Sequence, residues 1–256
     1  MTLILAQINS TLQMLFPKGK FRAILFGLVL LSSAISVSEL LVAKFFTKII
    51  STENKLTARQ MATYTVVFLL FFVVTRVGHF LQKIYRVNVF EGSIKSANLK
   101  SSQMQESWQW SLAFEVTSLL SLITQLIVVS VFFFTINPLF SVINLISMII
   151  IFQFFGALFK HQLNAQRGFL KSRRAKEVVA NSVRVGTRIK SGEIGALVSG
   201  FGMIILLTVL LYLSYKGELN TSETIIFFFG LKMQTSNLST FSLGLMRFAR
   251  ALVNSE

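Results

Sequence analysis

Five ionisable side chains within apolar segments are the residues of this sequence whose chemistry could matter most. Glu39, Glu115 and Lys232 each fall inside a long apolar run, and Arg76 and His79 lie three residues apart on one face of another. A charge at the middle of a bilayer costs about 2.5–3.5 kcal/mol on insertion scales. Each therefore needs a partner, a wet cavity or a place near the headgroups. We take these five as candidate residues of an intramembrane substrate pathway.

Lys232 is the deepest of these charges, near the middle of an otherwise apolar run. It could pair with Glu39, which we expect nearer the outer surface, or with Glu115, which we expect nearer the inner one. It could instead face a central cavity and meet an anionic substrate. Arg76 and His79 either extend together to the headgroup level or contact a lipid phosphate. The sequence leaves these alternatives open.

Groups for covalent chemistry are scarce in this chain. All ten acidic residues are Glu, there is no Asp and no Cys, and the two histidines, His79 and His161, have no partner at metal-ligand spacing. No G-x-x-x-x-G-K-[ST] phosphate loop occurs. We therefore expect no enzyme activity and no catalytic, cofactor-binding or metal-binding residue, and we expect no ATP hydrolysis by this chain alone.

The composition is that of a membrane protein. Of 256 residues, 53% are hydrophobic and only 14% are charged, with a mean hydropathy of +0.67. Soluble domains carry about a quarter charged residues, so a soluble helical protein with a large core is disfavoured. The net charge is +15, but the basic residues cluster between apolar runs, which favours cytoplasmic loops over a nucleic-acid partner. The 26 phenylalanines include runs at 132–134 and 227–229, which we interpret as lipid-facing filler.

The pattern predicts an all-α membrane protein with six transmembrane helices preceded by an interfacial helix. Residues 1–16 form this interfacial (elbow) helix, with Leu5, Ile8, Leu12 and Leu15 at near-helical spacing, and Pro17 ends it. The remainder, 17–256, is the six-helix transmembrane domain. Each apolar run is near the length of about 20 residues that a bilayer requires. The predicted spans are 23–46, 61–80, 112–134, 139–159, 194–215 and 224–245.

Loop charges predict the orientation. Segment 160–193 holds nine basic residues and only two acids, so we expect it to be cytoplasmic. Both termini and segment 81–111 then lie on the same side. We expect the spans to continue as helices into two cytoplasmic hairpins, about 81–111 and 160–193, and we expect the bacterial inner (plasma) membrane as the location.

Smaller signals concern helix packing and the membrane boundary. Ala196 and Gly200 form a small-x-x-x-small pair, which predicts a close helix contact in the fifth span. Trp108 and Trp110 precede the third span and are typical of residues at a membrane interface.

The layout and several short stretches resemble one family. The stretches are LFPKGK at 15–20, LLSSA at 30–34, SELL at 38–41, and KGELNT at 216–221 followed by Phe227 and Phe228. Together with an elbow helix, six spans and two cytoplasmic hairpins, they resemble the transmembrane domain of ABC exporters and are similar to lipid-linked oligosaccharide flippases. The resemblance implies a homodimer, or a pair with a related half-transporter, that moves an amphipathic substrate.

Two departures from that family qualify the expectation. The sequence ends at Glu256, soon after the sixth span, without a nucleotide-binding domain, and both hairpins are shorter than the family's. A separate ATP-binding cassette subunit would then supply the energy. The leading hypothesis is a transport subunit for an amphipathic substrate such as a lipid-linked saccharide. The alternative is an ATPase-free membrane scaffold or accessory subunit derived from such a domain.

Overall fold

The computed structural model describes residues 2–16, 19–50, 57–96 and 103–255, apart from the side chains of residues 50, 96 and 104. All regular elements in these ranges are helices. The break predicted at Pro17 lies outside the described residues, as do the loop at 51–56 and the tip of the first hairpin at 97–102. The helices are α1 (Thr2–Leu15), α2 (Lys20–Ile50), α3 (Ala58–Ser96), α4 (Gln103–Phe134), α5 (Pro138–Arg174), α6 (Asn181–Tyr215) and α7 (Thr221–Ser255).

The short first helix lies against the bundle through one apolar face. Ile4, Ile8, Leu12 and Leu15 of α1 are buried, and this helix contacts α4 and α5. The face differs by one position from the predicted stripe, because Leu5 is 47% exposed while Ile4 is covered. Residues four apart lie above one another on a helix, so Ile4, Ile8 and Leu12 form a straighter stripe than one that begins at Leu5.

Five helices, α2 to α6, are long and apolar enough to cross a membrane. The sequence predicts six, but α7 does not meet the same standard among the described residues. At 35 residues α7 is long enough, and the difference is its polarity. It packs against α2, α4, α5 and α6. Because other helices cover much of its surface, α7 can carry buried polar side chains such as Gln234.

The long helices extend past the predicted spans. The 39 residues of α3 correspond to about 58 Å at 1.5 Å per residue, whereas the hydrocarbon core of a bilayer is about 30 Å thick. Segments 81–96 and 160–174 are continuous with the apolar parts of α3 and α5. Helices α3 and α5 therefore continue past the predicted spans 61–80 and 139–159, and the two cytoplasmic hairpins stay a prediction.

Contacts bring the predicted cytoplasmic segments to one end of the bundle, called here the basic end. The Ser93 hydroxyl of α3 donates to the Leu15 carbonyl, at 2.7 Å, at the end of α1. The Arg250 guanidinium near the end of α7 lies 5.2 Å from the ring of Trp108 at the start of α4. Arg250 also shares a small cavity with Arg184 at the start of α6. The tight turn before Pro138 is at the opposite end, where Asn137 caps α5 by accepting from the Phe140 amide at 2.9 Å.

Small residues allow α6 and α7 to approach closely, but they are not the predicted pair. The Ser242 hydroxyl donates to the Gly192 carbonyl at 3.0 Å, and a Cβ atom at Gly195 would lie 2.0 Å from the Ser242 oxygen. A Cβ atom at Gly200 would meet nothing within 4 Å. The contact therefore uses the face of Gly192 and Gly195 rather than that of Gly200. We call this contact the α6–α7 seam.

The phenylalanine runs are only partly filler. Phe133 and Phe227 are fully buried, with ring centroids 5.0 Å apart, and both rings also pack on Phe140. Phe134 and Phe228 are 48% and 44% exposed, as lipid-facing residues would be. The interpretation of whole runs as filler is therefore wrong for one ring of each run, because consecutive helical residues point in different directions.

Candidate functional site

A polar cavity of about 460 Å³ lies between α2, α3, α4 and α7. Three of the five sequence-predicted candidates line it: Glu39 from α2, His79 from α3 and Lys232 from α7. Neutral polar and apolar side chains complete the wall, namely Ser36, Leu40, Ala43, Gln125, Phe229, Met233, Ser236 and Asn237. We call this space the polar cavity.

Polar contacts between α2 and α3 set the position of Glu39 and His79. The Thr75 hydroxyl donates to the Ser38 hydroxyl at 2.9 Å, and Ser38 donates to the Phe71 carbonyl at 3.0 Å. These bonds fix the register in which His79 Nε2 lies 3.4 Å from Glu39 Oε1. Both side chains are 43% exposed, so the pair remains open to a ligand.

Arg76 lies beside this pair rather than in the polar cavity itself. It lines a neighbouring hollow of about 170 Å³ together with Glu39 and His79. Its guanidinium carbon is 5.3 Å from the centroid of the Phe72 ring, a cation–π contact. Four of the five candidates therefore lie in two adjoining hollows, with Glu39 and His79 shared by both.

Lys232 projects from α7 on the opposite wall. Its side chain is exposed and forms no ion pair within the described residues, so the predicted pairing with Glu39 or Glu115 does not occur as a direct contact. Phe229 and Met233 flank it along the wall. Gln125 of α4 also lines the cavity, and its amide donates to the Ser32 hydroxyl at 2.6 Å. An ammonium group is thus available in a mixed polar and apolar space.

Glu115 is the candidate that lies elsewhere. Its Oε1 atom accepts from Arg247 Nε at 2.6 Å, and the Glu115 side chain is 15% exposed. The other oxygen is buried without a hydrogen-bond partner among the described residues. Arg86 donates nearby to the Phe114 carbonyl and to the Ser118 hydroxyl. Glu115 therefore stabilises the packing of α4 against α7 through its ion pair with Arg247.

The uncharged residues that line the polar cavity were not predicted from the sequence. The α7 lining residues follow the pattern i, i+3, i+4, i+7 and i+8, which is one face of a helix; they are Phe229, Lys232, Met233, Ser236 and Asn237. If Lys232 faces a cavity, this spacing predicts that the other four residues face it too. The position of Gln125 opposite this face depends on how α4 packs, so no local pattern indicates it.

The groups around the polar cavity are suited to binding a charged, partly apolar ligand. Within the ranges that the structure describes, no three His, Cys, Asp or Glu side chains gather to hold a metal ion. A carboxylate, an imidazole and an ammonium group around a half-apolar space can hold a charged headgroup and its apolar attachment.

No protein-family model matches this chain, and no curated protein matches it.

Proposed function

We propose that the chain is the transmembrane subunit of an ABC exporter-like or flippase-like transporter for an amphipathic substrate, energised by a separate ATPase chain. The observation that carries this proposal is the polar cavity. Three of the helices around it, α2, α3 and α4, are apolar enough to cross a membrane, yet Glu39, His79 and Lys232 face the space between them. Ionisable residues in such a place are a functional site by default.

The chemistry of the wall supports a substrate such as a lipid-linked saccharide. The Lys232 ammonium and the nearby Arg76 guanidinium would attract a phosphate-type linkage, and the amides of Gln125 and Asn237 would bind sugar hydroxyls. Phe229, which is 40% exposed, would contact the start of an apolar tail. A volume of about 460 Å³ is within the usual range of small-molecule sites. It suits a headgroup whose tail remains in lipid.

The helical layout supports the same proposal. A short α1 followed by six long helices is the layout of the family that the sequence resembles, with α7 as the sixth crossing helix. Both termini and the basic end would be cytoplasmic, because nine basic residues lie in segment 160–193. The plasma membrane is the proposed location, and an ATPase partner would dock at the basic end.

A scaffold or accessory subunit is the alternative, and the outer face of α3 is the surface through which it would bind another membrane protein. Val66, Leu70, Val73 and Phe80 are between 57% and 64% exposed, and α3 packs chiefly against α2. Such a face can pack against another membrane protein as well as against lipid. A second copy of this chain, or a related half-transporter, could cover the same face in a transporter.

The test is binding of a fluorescent isoprenyl-pyrophosphoryl saccharide to the purified chain in nanodiscs. Lys232→Met keeps the length of the side chain and removes its charge. We expect its affinity to fall about tenfold or more, as for loss of a charge-assisted contact, with an unchanged Tm. The matched control is Lys216→Met, because Lys216 packs over the Tyr212 ring at the opposite end from the basic end. The control should bind like the wild type.

Two other outcomes would favour a packing role for Lys232 or the scaffold hypothesis. If Lys232→Met lowers the Tm and Glu39→Gln in the same chain restores it, Lys232 acts on packing through Glu39. A wild-type chain that does not bind the saccharide, while it co-purifies with another membrane protein and no ATPase, would contradict the transport proposal and favour the scaffold.

A further inference from the structure

Three arginines converge in a second, smaller cavity at the basic end. Arg184 and Arg188 lie near the start of α6, which begins at Asn181, and Arg250 lies near the end of α7. With Gln166 of α5 they line a space of about 60 Å³, and Asn181 and Val185 complete its wall. No acidic residue lines this space, and none of the three arginines pairs with a carboxylate in the described part of the chain. We call it the arginine pocket.

The electrostatics of the arginine pocket are unfavourable without an anion. Burial lowers the pKa of Arg250, and the positive charges of Arg188 and Arg184 lower it further. The Trp108 ring, 5.2 Å from the Arg250 guanidinium, helps to hold this side chain in place. Like charges at close range repel more strongly when water is partly excluded. An anion in the pocket would reverse the sign of this interaction.

The donors of the pocket match a phosphate group. Guanidinium groups present paired N–H donors that fit phosphate oxygens. Gln166 is 4% exposed and lines the pocket, where its side-chain amide can donate to a bound phosphate oxygen. The N-terminus of α6 begins at Asn181, where the helix dipole favours negative charge. A space of about 60 Å³ holds roughly four to six water-sized atoms, as many as a phosphate group has.

We propose that the arginine pocket binds a phosphate group, carried either by a lipid headgroup or by a soluble phosphorylated compound. The site shares no residue with the polar cavity, so the inference does not depend on the transport role. Its occupant would bridge α5, α6 and α7. Basic hollows between helices at the cytoplasmic side are known in general to take acidic lipid headgroups, and a soluble phosphate would use the same donors.

The experiment compares two charge-matched double variants in phosphatidylcholine nanodiscs. Arg184→Gln with Arg188→Gln removes two donors of the pocket. Arg173→Gln with Arg174→Gln removes the same charge from exposed residues at the end of α5. One arm titrates pyrophosphate and follows the Tm. The other arm adds phosphatidic acid to the nanodiscs and counts retained lipid by native mass spectrometry.

The pocket variant should lose about tenfold or more in affinity for the phosphate probe, and the Arg173/Arg174 control should bind like the wild type. Without a probe, the pocket variant should be at least as stable as the wild type, because repulsion is relieved. Stabilisation by pyrophosphate supports a soluble source, and retention of phosphatidic acid alone supports a headgroup. Binding of neither probe, or an equal loss in both double variants, would overturn the proposal. If the pocket variant does not fold, Arg188→Lys is the second test, because it keeps the charge but lacks the paired N–H donors of a guanidinium group. This variant should bind phosphate more weakly than the wild type. Wild-type affinity in Arg188→Lys would overturn the proposal.

Discussion

At the scale of single residues, the chain handles its intramembrane charges in two ways. Glu115 is 15% exposed and accepts from Arg247, which neutralises it between α4 and α7. Lys232 has no ionic partner in the described structure and faces the polar cavity with Glu39 and His79. A paired charge stabilises packing, whereas a charge that faces a cavity is available to a ligand.

Glu115→Gln should destabilise the protein. The change removes the ion pair with Arg247 and the negative charge opposite Arg86, which is half-buried. We expect a loss of about 1–3 kcal/mol in the free energy of unfolding, the usual cost of an unsatisfied buried group. Thermal unfolding in detergent measures it. Glu91→Gln is the control, because Glu91 pairs with Lys95 on an exposed helix face and surface pairs contribute little. Equal stability of the two variants would contradict the structural role of Glu115.

The sequence could indicate these residues but not their partners. Arg76 and His79 lie on one face of one helix, so their proximity is readable from spacing alone. The contact between His79 and Glu39 needs the register of α2 against α3, which Ser38 and Thr75 set. Arg247 is 132 residues from Glu115 and lies beyond the predicted sixth span, so no local pattern indicates that pair.

At the scale of elements, α7 differs from the other long helices in its polarity. The sequence predicts six similar spans, and the structure gives five strongly apolar helices, of which α2, α4, α5 and α6 pack against the more polar α7. Hydropathy reports how a helix meets lipid, so it cannot identify a helix that other helices cover. The glycine face of α6 is a comparable case. Spacings of three, four and three residues connect Gly192, Gly195, Ser199 and Gly202, yet only the packing distinguishes this face from that of Gly200.

Gly195→Val should disrupt the α6–α7 seam. A Cβ atom at this position would lie 2.0 Å from the Ser242 oxygen and 3.1 Å from the Phe155 ring. Overpacking of this kind typically costs about 1–3 kcal/mol and sometimes more. The measurement is the Tm in detergent. Gly200→Val is the matched control on the same helix, since nothing lies within 4 Å of its added Cβ atom. A fall in Tm that is the same for both variants would mean that the seam is not where the helices meet closely.

At the scale of the whole molecule, the polar cavity and the arginine pocket lie at different positions along one bundle. The arginine pocket is at the basic end, beside the α5–α6 connection, and the polar cavity lies near His79 of α3 and along the Phe229–Asn237 part of α7. The sequence predicts that the termini and both hairpins share one side, and contacts such as Ser93 with Leu15 bring these segments together. The charge pattern therefore predicts which segments share one end of the bundle, whereas the cavities depend on how six helices pack.

The polar cavity should be accessible to water although it lies among membrane-spanning helices. Cysteine labelling tests this accessibility most directly. The chain has no native Cys, so each introduced thiol is unique. Ser236→Cys places a thiol in the cavity wall, and Ile205→Cys places one on an α6 face that is 61% exposed and apolar. Maleimides react with the thiolate, which forms in water and not in lipid. In membranes, a charged maleimide should label Ser236→Cys at least about tenfold faster than it labels Ile205→Cys. Equal, slow labelling at both positions would contradict the claim.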